Sequence, residues 1–135
     1  MTDKSDIIEI EQSKFWIEDD VLFCEIYNPD ENKYLEESTI DTYLKVINDL
    51  CKGKSMPFLI DFRNTKGTFL RAAAIKLSNS EVHKKACLCE VFLVNSLKMK
   101  LLIATYKRIY EPIKPFKIFE NYNEASEYAA KIKHQ

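Results

Sequence analysis

Glycine occurs only twice in this 135-residue chain, at Gly53 and Gly67. A phosphate-cradling loop needs several glycines at fixed spacing, so nucleotide-binding fingerprints of that kind are excluded. Histidine is equally scarce, at His83 and His134, and no Cys-x-x-Cys pair is present. The one arrangement that hints at a metal, His83 with Cys87 and Cys89, lacks a fourth ligand, and a helix-end histidine beside two core cysteines reads better. No metal or cofactor is expected. No apolar run approaches the ~18 residues of a bilayer span. The net charge of -1 gives no general attraction to nucleic acid. The opening Met-Thr-Asp-Lys-Ser-Asp is too polar for a signal peptide, and Cys24, Cys51, Cys87 and Cys89 lie inside apolar segments without a secreted spacing. The expectation is a single domain over residues 1–135, cytoplasmic, with reduced and mostly buried cysteines.

What is present organises itself around Met56-Pro57-Phe58-Leu59-Ile60-Asp61-Phe62-Arg63-Asn64. A segment apolar on both faces is the pattern of a central parallel strand. Phe58, Ile60 and Phe62 are expected on one side, Leu59 and Asp61 on the other. Ligands and partners of open parallel sheets bind beyond the carboxyl ends of the strands, where Asp61, Arg63, Asn64 and Thr65 fall. Asp61, an acid in an apolar strand, must be paired, and Arg63 or the loop amides can serve.

Upstream, Ile7–Glu11 and Lys14–Glu18 read as one interrupted strand, turning at Asp19-Asp20 into Val21–Tyr27 as a hairpin. Ser38 and Asp41 suggest a capping box for a helix bearing Ile40, Tyr43, Leu44, Ile47, Leu50 and Cys51, closed by Gly53. After the central strand, Thr68 is expected to cap a helix running to about His83. Leu88–Val94 forms a second buried strand. Lys98–Tyr110 is helical and apolar too far round for one face. Phe116–Phe119 is a last strand, and Asn123 caps a final helix with Ala125, Tyr128, Ala129 and Ile132 in one stripe. The expected α/β order is β-β-α-β-α-β-α-β-α. This makes a mixed, mostly parallel five-stranded sheet with an antiparallel first strand and four helices.

That order, with Phe58–Arg63, Val91–Ser96 and Lys114–Phe119 followed by Asn123-Glu124-Ala125, resembles the STAS-like domains. These have the bacterial anti-sigma-factor-antagonist fold, distantly similar in shape to CRAL-TRIO lipid-binding proteins. The resemblance is to the small single-domain branch. It implies a non-enzymatic regulatory domain that binds a protein partner. Antagonist members carry a phosphorylated Ser or Thr in an Asp-Ser-Ser/Thr-Gly-Leu motif after the central strand. The motif is absent here, and Thr68, then Thr65, are the nearest positions.

Two functional expectations follow. In the first, a protein partner docks on Asp61, Arg63, Asn64, Thr65, Thr68, Asn95 and Ser96. In the second, a small apolar ligand or lipid enters a cavity beneath the 98–110 helix. Met99, Ile103, Tyr106 and Tyr110 of that helix serve either as a ligand lid or as a homodimer contact. Charge is divided along the chain, acidic over residues 1–41 and basic over 84–117, where Lys107 counts among the cations. Two solvated faces explain this, as does a basic docking face. No convergent set of titratable residues suggests an enzyme.

Overall fold

The computed structural model describes residues 4–10, 13–28, 30, 34–66, 68–69, 71–110 and 115–133. The strands are β1 (Ile8–Ile10), β2 (Ser13–Glu18), β3 (Val21–Asn28), β4 (Tyr34–Leu35), β5 (Met56–Thr65), β6 (Thr68–Phe69), β7 (Cys87–Leu93) and β8 (Phe116–Phe119). The helices are α1 (Glu37–Cys51), α2 (Arg71–Ser78), α3 (Glu81–Ala86), α4 (Leu97–Tyr110) and α5 (Tyr122–Lys133). The main sheet is six-stranded, in the order β1-β2-β3-β5-β7-β8. β4 and β6 pair in parallel as a separate two-stranded ribbon.

β5 lies inside the sheet, parallel to both neighbours, β3 and β7. Its side chains divide as alternation requires. Phe58, Ile60 and Phe62 face the α1 side, and Leu59 joins the cluster under α5. On the first face Phe15, Leu22, Cys24 and Ile26 pack against Ile40, Tyr43, Val46 and Ile47 of α1. α4 lies over the same face, with Met99 and Ile103 on Phe92 and Val94. α5 covers the opposite face, its Ala125 and Ala129 set on Val21, Phe23, Leu59, Val91 and Leu93. Alanine at these positions lets the helix backbone approach the sheet closely.

Several expectations are corrected. The interrupted first strand reverses. Ile8 pairs with Phe15 and Ile10 with Ser13, so the segment becomes two antiparallel strands and the sheet gains a sixth. The antiparallel strand is therefore β2, one in from the edge. The Asp19-Asp20 turn takes the left-handed conformation at both residues, φ 53° and 62°, which matches the twist of a two-residue hairpin.

The helix expected from Thr68 to His83 is two helices, which makes five in all. The first ends at Ser78, and Ser80 caps the next, its side chain accepting from the His83 N–H at 3.2 Å. Thr68 lies in β6, ahead of α2, which begins only at Arg71. The capping box at Ser38 does not form, because Glu36 is the N-cap and makes no side-chain cap. Lys52, in the left-handed conformation, caps the C-terminus ahead of Gly53 at φ 83°. Asn121 rather than Asn123 caps α5, accepting from the Glu124 N–H at 3.0 Å.

Candidate functional site

Two sites lie on opposite faces of the central strands. The first is at the carboxyl end of β5. Asp61 is 7% exposed and Arg63 stands beside it on the same face. Arg63 donates to its carboxylate as a fork, Nε to Oδ1 at 3.1 Å and Nη2 to Oδ2 at 3.0 Å, and the Arg63 backbone N–H donates to Oδ1 at 3.0 Å. This satisfies the buried acid through the partner its sequence position offers. Asp61 raises the Arg63 pKa further above its ordinary value. The guanidinium lies 5.9 Å from the Tyr122 ring centroid.

Glu25 is the register partner of Asp61 on β3. With Trp16, Phe23, Leu59 and Tyr122 these groups frame a groove of about 170 Å³. Burial raises the Tyr122 phenol pKa, with Glu18, Asp61 and Glu25 adding and Arg63 opposing. Of the other residues expected here, Thr65 hydrogen-bonds the Ile26 carbonyl at 2.9 Å and ties β5 to β3. Ser96 caps α4, accepting from the Met99 N–H at 3.2 Å, while Asn64 and Asn95 are exposed at the same end of the sheet. Thr68 belongs to the separate ribbon with Tyr34.

The second site is an apolar cavity of about 90 Å³ between the sheet and its helices. Phe15, Leu22, Phe58, Ile60 and Phe92 form the floor. Ile40, Tyr43 and Ile47 of α1, Ala73 and Leu77 of α2, and Ile103 and Tyr106 of α4 form the walls and roof. Met99, Ile103 and Tyr106 are 5%, 1% and 8% exposed. They lie on the inward side of α4, and the side chain of Tyr110 falls outside the described residues. The outward apolar residues of α4 are Leu97, Leu101 and Ile109.

One wall of this cavity holds charge that the sequence reading missed. Glu90 of β7 is 1% exposed and Lys107 of α4 is fully buried. Lys107 Nζ binds Glu90 Oε1, and His83 Nε2 of α3 lies 3.4 Å from Glu90 Oε2. Burial alone would raise the Glu90 pKa, but His83 and Lys107 outweigh it and hold the carboxyl at about 2. Lys107 is thus no part of a basic surface.

A bulge brings Glu90 to this face. Met56 pairs with Cys87 and Phe58 with Glu90, two steps on β5 against three on β7. The extra residue puts Cys87 in the cluster under α1 and Cys89 in the cluster under α5, so the two cysteines do not share a face. Among the described residues no three His, Cys, Asp or Glu side chains group as metal ligands do. Burial, aided by Asp61 and Glu25, pushes the Cys24 thiol far above its ordinary value, and burial moves Cys51 to about 11. Neither is an activated nucleophile.

This mixed α/β sheet is similar to the SpoIIAA-like, or STAS-like, fold. A solved structure supports that class: an uncharacterized protein of the DUF3478 family with a SpoIIAA-like fold from Shewanella loihica PV-4. It aligns over 96% of this chain and 95% of its own, at 15% identity and a TM-score of 0.58. The CRAL-TRIO part of the resemblance finds no support in the comparisons. Residues 15–133 match the family model described as "Domain of unknown function (DUF7793)", and the chain belongs to that family. No curated protein matches it. Among the described residues no helix is long and apolar enough to cross a membrane.

Proposed function

We propose that the chain is a non-enzymatic binding domain of SpoIIAA-like type that takes a small apolar ligand beneath α4. The observation that carries this is the cavity itself, walled almost throughout by hydrocarbon and roofed by Ile103 and Tyr106. Aliphatic cavities of roughly 150 Å³ stay dry and accept benzene-sized guests. A space of about 90 Å³ fits a slimmer group, such as the end of an alkyl chain. Glu90 is bound by Lys107 with His83 beside it, so the polar wall has little to offer a charged head group. The test is methyl NMR of the full chain titrated with xenon or n-butane. The Ile60 and Ile103 methyls should shift together, and Ala73→Leu, which fills the space from α2, should abolish the response. A wild-type protein whose methyls ignore both probes would end this reading.

A second reading, a protein partner at the carboxyl ends of the strands, is favoured by the Asp61–Arg63 fork. Its Arg63 side chain is 39% exposed on a rigid strand beside Tyr122. Affinity capture that returns the same proteins with wild type and Arg63→Ala would remove its support.

A further inference from the structure

The outward side of α4 plays no part in either reading above, and its chemistry is unusual. Leu97, Leu101 and Ile109 are 68%, 57% and 60% exposed. Lys98, Lys100 and Arg108 are exposed among them. From Leu97 to Tyr110 the helix contains no acidic residue at all. Met99, Ile103, Tyr106 and Lys107 take up its inner side, so the outer one is apolar and cationic without being needed for the core.

Scattered exposed leucines are ordinary, but a helix face that combines them with cations alone is selective about what can cover it. A second copy is disfavoured. In a two-fold contact through α4 this patch would meet itself, setting Lys98, Lys100 and Arg108 against the same charges. A protein partner needs a shaped surface and placed hydrogen-bonding groups, and among the described side chains Thr105 is the one neutral polar residue on this face. A fluid anionic interface needs neither. It accepts protruding apolar side chains while long basic ones reach the lipid phosphates.

We infer that the outward face of α4 docks on an anionic membrane surface, Leu97, Leu101 and Ile109 entering the interface and Lys98, Lys100 and Arg108 lying against its charge. This does not depend on the cavity beneath the helix.

The test is flotation of the full chain with vesicles of phosphatidylserine and phosphatidylcholine in equal parts, against pure phosphatidylcholine, at low and high salt. Binding is expected on the anionic vesicles only, falling with salt. Lys98→Ala and Lys100→Ala should each weaken it roughly fivefold, the equivalent of one basic residue near such a surface. Leu101→Glu should abolish it, with an unchanged circular dichroism spectrum. Equal binding to both vesicle types, binding to neither, or binding that survives Leu101→Glu overturns the inference. So does a dimer in analytical ultracentrifugation that Leu101→Glu dissolves, which would assign the face to self-association. Ala73→Leu should leave vesicle binding intact, so this test and the cavity test fail separately.

Discussion

Two acid–base pairs have their acids on adjacent parallel strands, facing opposite ways, and their surroundings differ. Asp61 and Arg63 sit on β5 at its carboxyl end, with the Asp61 side chain 9% exposed and the Arg63 side chain 39%. Glu90 of β7 and Lys107 of α4 sit under the helical layer at 2% and 0%. In the first pair water still reaches the cation, so the charge can be shared with something that docks. In the second both charges are sealed, and the pair can only hold β7, α3 and α4 together. Depth within the sheet, rather than residue type, separates an accessible ion pair from a sealed one.

The largest expected effect comes from breaking the sealed pair on one side. Lys107→Met leaves Glu90 buried with His83 as its remaining partner, and removing one member of a buried pair costs about 3–5 kcal/mol. Urea unfolding measures it. A loss under about 1 kcal/mol would show that water reaches Glu90, and the contrast between the pairs would disappear. Replacing both members, Glu90→Leu with Lys107→Met, should by comparison be neutral or stabilising by roughly 1–4 kcal/mol, since hydrocarbon of similar volume escapes the desolvation cost.

Acid provides a second way to sharpen the contrast. The Glu90 carboxyl is depressed in the folded chain, from the ordinary 4.5 to about 2. Its contribution is therefore complete above the unfolded value and lost as pH falls through the window between those values. Melting temperatures followed from neutral pH down to this window should fall more steeply for wild type than for the doubly substituted chain. Parallel curves would mean that Glu90 is not the carboxylate being titrated.

How far the sequence foretold these pairs depends on what each signal measures. β5 was legible because an apolar run ending in Asp61 and Arg63 has one economical placement, and the pairing argument for Asp61 named its partner. The same argument holds for Glu90, an acid between Cys89 and Val91, but its partners His83 and Lys107 lie far from it in sequence. Lys107 was grouped with the surface cations because counting charge along the chain ignores helical phase. It stands four residues after Ile103 and eight after Met99, which puts it on the inner face. The bulge between Cys87 and Glu90 had no sequence signal, since alternation presumes an unbroken ladder. Polar Ser78-Asn79-Ser80 before Glu81 marks the break between α2 and α3, a signal that an expectation of one long helix overrides.

The smallest expected effect belongs to the open pair. Arg63→Ala removes the fork, but Asp61 keeps the hydrogen bond from the backbone N–H of residue 63, and its edge can take water in place of the guanidinium. An ion pair with one solvated member contributes about 0–1 kcal/mol, so stability should fall by no more than about 1 kcal/mol. The Tyr122 phenol supplies a second readout. Arg63 lowers its pKa against the upward pull of burial and of Glu18, Asp61 and Glu25, so removing the cation should raise it further. Absorbance titration of the tyrosinate, with Tyr122→Phe as the reference, isolates that change. A fall in stability as large as that of Lys107→Met would place Arg63 in the core after all. The groove could then no longer be treated as a surface poised for a partner.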